Sequence, residues 1–338
     1  MTFRIGLSAD LDNGAGGFTW GDIAIETLAP NKWEFLSEKE FTPQSLKGFD
    51  AVAFAAPSVT ATSLPAPEDS PLIIARFGVG YDNIDLDACT RAGTALTITP
   101  DGSKKPVATA ALMLTLSTLH RVIAKNQLSR QNRWSERLSN GIGQGLNGKT
   151  VATIGLGNIG TEFFRLIAPF DCTRISFDPW KSQEEASQHN VTLVDLDTVM
   201  KTADVIVVLA TLTPETKHMI NAAELAKMKT SAVIINISRG PIIDEKALIA
   251  ALQSGSIAGA GLDVFEEEPP AADNPLLTME NVVATPHNIA WTDELARGMG
   301  RSAFGAIMKI SKGQIPEFVV NKDVLQTPQF LTKLERFK

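Results

Sequence analysis

The stretch KTVATIGLGNIGTEFFRLI, residues 149–167, decides how the rest of the chain is read. An apolar run ends at Gly155, further glycines follow at Gly157 and Gly160, and a helical pattern opens within the same few residues. That order spells strand, tight turn and helix. Gly155 suits the turn, Gly157 lets the main chain approach a pyrophosphate, and Gly160 lets the helix pack on the strand. The start of the helix also offers unpaired N–H groups to an anion. Eighteen residues after Gly160, a second apolar run, RISFD (174–178), ends in Asp178. A carboxylate there accepts hydrogen bonds from an adenosine ribose and repels a 2′-phosphate, so the segment predicts NAD rather than NADP.

Downstream of this turn the alternation continues. Strands are expected near 150–155, 173–177, 204–209, 231–236, 257–263 and 281–284, separated by helical patterns such as DEKALIAALQSG (244–255). Six parallel strands with intervening helices make a doubly wound sheet. Upstream, FRIGLS, WEFL, AVAFAA, PLIIARF and ALTIT alternate with helical or loop segments between residues 3 and 100, which predicts a second, smaller parallel sheet. VATAALMLTLSTLHRVIAKNQL (107–128) reads as one long buried helix with Pro106 in its first turn. DELARGMGRSAFGAIMKISKGQ (293–314) reads as a helix, and the tail FVVNKDVL (318–325), with no sheet of its own, is expected to return to the first domain. The expected division is 1–101 for the first part of one domain, 102–290 for the other, and 291–338 for the return.

Bulk properties narrow the function. A chain of 338 residues exceeds the usual size of one core. A net charge of −7 without any Lys/Arg block argues against nucleic acid and against an anionic membrane surface as partners. The opening MTFRIGLSAD lacks the apolar run of a signal peptide, and no later stretch is long enough to span a bilayer, so a cytoplasmic protein is expected. Cys89 and Cys172 lack any metal-ligand or disulfide spacing, and no metal site is expected. A small-molecule substrate is left.

Three segments place polar groups just beyond apolar runs, where an open α/β sheet binds its ligands. INISRGPIIDE (235–245) carries Arg239, GAGLDVFEEEPP (259–270) carries Asp263 and Glu268, and VVATPHNIAW (282–291) carries His287. With RFGVGYDNID (76–85), GLGNIG with FDP, and LTPETKHMIN (212–221), these motifs closely resemble the D-isomer-specific 2-hydroxyacid dehydrogenase family over nearly the whole chain.

The resemblance implies a Rossmann-type NAD-binding domain inserted into a smaller flavodoxin-like α/β substrate domain. It also implies a homodimer formed mainly through the cofactor domains. It assigns Arg239, Glu268 and His287 to catalysis. Reduction of a 2-ketoacid leaves negative charge on the carbonyl oxygen, so a proton donor is needed there, and imidazolium suits that part. A carboxylate on the far ring nitrogen stabilises imidazolium and fixes the ring, while the forked Arg239 holds the substrate carboxylate or keto oxygen. Backbone N–H groups of Val79 and Gly80 are expected on the substrate carboxylate. Asp263 is expected to orient the nicotinamide amide, and Asn158, Ile159, Pro214 and Val107 join the three glycines and Asp178 as cofactor-binding positions. The family's long helix opens Val-Ala-Glu, whereas this chain has Val107, Ala108 and Thr109.

Glu266 and Glu267 are left to a solvated turn, and His120, His189 and His218 have no companion acid in a fixed motif. Lys104 and Lys105 are expected at a helix start, exposed to solvent rather than on an anionic ligand. Formate dehydrogenase, which shares the scaffold, pairs its histidine with glutamine, and Glu268 argues against it. A phosphoglycerate dehydrogenase without a regulatory domain and an NADH-sensing, corepressor-like interaction protein stay open.

Overall fold

The computed structural model describes residues 3–138 and 142–338. The chain forms two compact units, 1–106 with 291–338, and 107–290.

The first unit is built on a five-stranded parallel sheet in the order β2-β1-β3-β4-β5. Its strands are β1 (Ile5–Leu7), β2 (Trp33–Phe35), β3 (Ala51–Phe54), β4 (Ile73–Arg76) and β5 (Ala95–Thr97). This is the flavodoxin-like arrangement. The tail is tied to the sheet edge rather than merely returning to its neighbourhood. Val319 bridges Thr97 in antiparallel fashion, and Val320 N–H donates to the Leu96 carbonyl at 2.9 Å. Buried Asn321 replaces a further strand: its Oδ1 accepts from Leu96 N, and its Nδ2 donates to the Thr94 carbonyl and Thr90 Oγ1.

The second unit holds seven parallel strands in the order β12-β11-β10-β9-β6-β7-β8. They are β6 (Thr150–Ile154), β7 (Thr173–Phe177), β8 (Thr192–Leu193), β9 (Val205–Val208), β10 (Val233–Asn236), β11 (Gly259–Leu262) and β12 (Val282–Ala284). Six were expected; β8, two residues long, is too short to leave an alternation in sequence. Both faces are covered. Ile206, Val208 and Ile234 point into one apolar cluster, while Val205, Val207, Val233 and Ile235 point into the other. Each such side chain contributes about 1.5–3 kcal/mol on burial, and it explains why these strands read as unbroken apolar runs. The order reverses between β6 and β9, the switch point where such sheets take ligands.

The single helix expected over 107–128 is instead two, Pro100–Leu119 and Val122–Arg130, bent by 63°. The break falls at Arg121, in the left-handed region with φ 55°. Because the first helix starts at Pro100, Pro106 lies in its interior, and Lys104 and Lys105 sit within the helix rather than ahead of it. Among the described residues no single helix is long and apolar enough to cross a membrane.

Candidate active site in the 107–290 unit

At the switch point, β6 runs into Gly155 with φ 100°, a conformation that a side chain disfavours. A Cβ on Gly155 would also press on the Leu209 carbonyl at 3.0 Å, and one on Gly160 would reach the Gly155 carbonyl oxygen at 2.7 Å. A Cβ on Gly157, which precedes the helix Asn158–Leu166, would meet nothing within 4 Å. Gly157 therefore faces open space beside a helix N-terminus, and Asn158 is exposed there while Ile159 is half-buried. Asp178, at the end of β7, is bound to this turn: Leu156 N–H donates to its Oδ2 at 2.7 Å and Trp180 N–H to its Oδ1 at 2.9 Å. Each carboxylate oxygen retains acceptor capacity for a ribose hydroxyl. The residues present fit a dinucleotide. Pro214 is exposed in a turn closed by Thr213 and Thr216, and Val107 is half-buried at the start of the unit.

The ends of β10, β11 and β12 carry the charged groups. Asn236, buried at the end of β10, organises the next turn by donating from Nδ2 to the Arg239 carbonyl at 2.9 Å. Its Oδ1 accepts from the N–H and hydroxyl of Ser238. Sequence reading missed Asn236, although an amide closing a buried apolar strand is a usable signal. Arg239 follows in extended conformation and donates from Nη1 to the Ser238 carbonyl at 2.8 Å. A Cβ on the next residue, Gly240, would overlap the Phe265 carbonyl oxygen, so the Arg239 turn and the Glu268 turn meet backbone to backbone.

Asp263, 3% exposed at the end of β11, uses one oxygen to accept from Thr285 Oγ1 at 2.7 Å, Asn288 N at 3.0 Å and Ile289 N at 3.1 Å. Burial pushes its carboxyl above the ordinary range, against the pull of these three donors. In this arrangement Asp263 anchors the loop that carries His287. The His287 N–H donates to the Asp263 carbonyl at 2.8 Å, and His287 itself is left-handed, with φ 52°.

Glu268 and His287 are in contact. The His287 Nδ1 lies 2.7 Å from Glu268 Oε2, and Phe265 N–H donates to Glu268 Oε1 at 3.0 Å. Burial acts to raise the Glu268 pKa, but the His287 hydrogen bond, the Phe265 N–H and the charges of His287 and Arg239 outweigh it and hold the carboxyl below its ordinary range. An ionised carboxylate only accepts, so Nδ1 carries the hydrogen and Nε2 is left for other chemistry.

His218 does have a companion acid: its Nε2 lies 2.7 Å from Glu266 Oε1. Glu266 is accordingly more than a solvated turn residue, and it also exchanges bonds with Glu245 through both main-chain nitrogens. Glu267 is exposed.

In the other unit, the loop after β4 that contains Val79 and Gly80 is held by Arg76. The guanidinium donates to the Gly80 carbonyl through Nε and to the Ala55 carbonyl through Nη1 at 2.6 Å. Gly78, with φ 134°, exchanges hydrogen bonds with Thr99. Val79 and Gly80 are half-buried.

The family model described as D-isomer specific 2-hydroxyacid dehydrogenase, NAD binding domain, matches residues 112–288. D-3-phosphoglycerate dehydrogenase from Methanocaldococcus jannaschii is 41% identical over 250 residues, covering 74% of this chain and 47% of that protein. Glyoxylate reductase from Thermococcus litoralis is 38% identical over 258 residues, covering 75% of this chain and 78% of that one. The chain thus spans about half the length of the phosphoglycerate dehydrogenases it matches. Among solved structures, an NADPH-dependent glyoxylate/hydroxypyruvate reductase from Sinorhizobium meliloti, in complex with NADP and malonate, superposes with a TM-score of 0.79 at 26% identity, covering 96% of this chain and 98% of that one. With a matching NAD-binding domain, two parallel sheets of the expected kind and relatives well above 30% identity, this chain belongs to the D-isomer specific 2-hydroxyacid dehydrogenase family.

Proposed function

We propose that this chain is an NAD-dependent reductase of small 2-ketoacids, of the glyoxylate or hydroxypyruvate type, yielding the D-2-hydroxyacid or running the reverse reaction. The observation that carries the reading is the 2.7 Å contact between Glu268 and His287, at the strand ends of the unit that matches the NAD-binding domain.

NADH, when bound, supplies the hydride for the carbonyl carbon. The chain supplies the rest. Gly155, Gly157, Asn158, Ile159 and Gly160 receive the pyrophosphate, Asp178 the adenosine ribose, and Pro214, Asp263 and Val107 border the cofactor. Arg239 binds the substrate carboxylate or keto oxygen with a planar guanidinium fork. Val79 and Gly80, in the other unit, offer main-chain N–H groups suited to a carboxylate. His287 delivers the proton of Nε2 to the carbonyl oxygen as negative charge develops, and Glu268 keeps Nδ1 hydrogen-bonded so that the ring is turned for that step. The negative charge of Asp178 opposes a 2′-phosphate, which supports NAD over NADP even though the similar S. meliloti enzyme is NADPH-dependent.

A homodimer is part of the proposal. Met113, Val122, Ile123 and Trp134 are exposed apolar side chains of the 107–290 unit, and the first two line a hollow with Leu112 and Leu116. An exposed apolar hollow of this kind suits a second copy.

The similarity to M. jannaschii D-3-phosphoglycerate dehydrogenase favours a second reading, in which 3-phosphohydroxypyruvate is the ketoacid. One assay separates them. Loss of NADH absorbance is followed with glyoxylate, hydroxypyruvate, pyruvate, phenylpyruvate and 3-phosphohydroxypyruvate. Turnover of the unphosphorylated acids is the expected result. Turnover confined to the phosphorylated one supports the second reading, and tight NADH binding with no turnover on any of them supports a nucleotide-sensing interaction protein.

A further inference from the structure

The second histidine-carboxylate pair has no part in the reaction so far described. His218 lies 48 positions before Glu266, in a left-handed conformation with φ 51°, yet its Nε2 meets Glu266 Oε1 at 2.7 Å. Its own N–H donates to the Pro241 carbonyl at 2.8 Å, two residues beyond Arg239. Glu266 stands two residues before Glu268, and its Oε2 accepts from Glu245 N at 3.2 Å. The segment around His218 is further stitched to the Arg239 side by Ile220, which bridges Ile243 in parallel. One residue thus joins the two turns, its main-chain N–H on the turn that follows Arg239 and its ring on the turn that carries Glu268, at the place where Gly240 and Phe265 already pack backbone to backbone.

We propose that His218 and Glu266 form a latch that positions Glu268 and Arg239, and so fixes the His287 ring. His218 is a positioning residue. Its ring bonds through Nε2 to a carboxylate of the turn, so the latch acts through Glu266 on the Glu268 main chain. The proposal rests on the reductase reading for its kinetic consequence, but not for its structural one.

The test uses the full chain with His218→Ala, His218→Gln and Glu266→Ala. Glutamine places an amide N–H near the position of Nε2, and the left-handed backbone costs Ala and Gln alike, so their difference reports the side-chain bond. Opening the latch in His218→Ala should lower kcat by roughly 10-fold through misplacement of the catalytic groups, with KM for NADH nearly unchanged. His218→Gln should recover most of the loss. The double variant His218→Ala/Glu266→Ala should lose no more than either single variant, the mark of one shared interaction.

Independently of turnover, the proton NMR signal of the His287 Nδ1–H bonded to Glu268 should weaken or shift in His218→Ala and return in His218→Gln. If that signal and kcat are both unchanged in His218→Ala and Glu266→Ala, the latch is overturned. Equal losses in the Ala and Gln variants also overturn it. If the unmodified protein reduces none of the ketoacids while the His287 signal still responds to His218→Ala, the reductase reading fails and the latch stands.

Discussion

Two histidines meet two glutamates of one turn, and the pairs look alike: each contact is 2.7 Å long, and each histidine is left-handed. They differ in which nitrogen is used and in what stands behind the partners. His287 bonds its glutamate through Nδ1 and keeps Nε2 out of that contact, whereas His218 spends Nε2 on its glutamate. The His287 loop is anchored on buried Asp263, and the second oxygen of Glu268 is taken by Phe265 N–H. The His218 segment is anchored by main-chain bonds to the Pro241 and Ile242 carbonyls. In the proposed function, the same chemical couple serves as a proton donor where Nε2 is not taken by the glutamate and the acid is fixed from behind. It serves as a tether where the outer nitrogen is consumed.

The comparison breaks most sharply at His287. Replacement with Ala should reduce kcat by about 10²- to 10⁴-fold, the range of a lost general acid, and steady-state kinetics with the preferred ketoacid measures it. A loss as large from His218→Ala would erase the distinction between the pairs.

Glu268→Gln comes next and should cost roughly 10- to 100-fold in kcat, because an amide keeps shape but not charge beside the imidazolium. It also carries a pH signature. The folded-state pKa of Glu268 is depressed from its ordinary 4.5, so its contribution to stability is present above that value and lost as pH falls through the lowered one. Thermal denaturation should accordingly show the unmodified protein ahead of Glu268→Gln near neutrality, with the gap closing in acid.

Legibility in the sequence follows the same contrast. The sheet of the 107–290 unit was readable because its strands are covered on both faces, so Val205–Val208 and Val233–Asn236 appear as apolar runs bounded by polar residues. The Glu268 and His287 positions stood out through their motifs and their places after strands. Nothing local announces His218 with Glu266, since the bond depends on how two loops meet. Nor does anything local announce the break at Arg121, where a residue other than glycine turns left-handed, or the use of Asn321 as a substitute for a strand partner. Such features are decided by tertiary contacts, which single-residue preferences do not carry.

A smaller effect is expected at the other end of the cofactor site. Asp178→Ser should reduce the preference for NAD over NADP by roughly tenfold in kcat/KM, equivalent to about 1.4 kcal/mol. An unchanged ratio would remove Asp178 from ribose recognition. Smallest of all is Glu267→Gln, in the same turn as both pairs but exposed. Its stability should change by no more than about 0.5 kcal/mol in denaturant unfolding, and turnover should be retained.

The central claim is that Glu268 acts on catalysis through the His287 ring. A double-mutant cycle on kcat with His287→Ala and Glu268→Gln addresses it most directly. Once His287 is gone, the further change at Glu268 should cost almost nothing; a second loss as large as in the unmodified background would show that the carboxylate works independently of the imidazole and contradict the account.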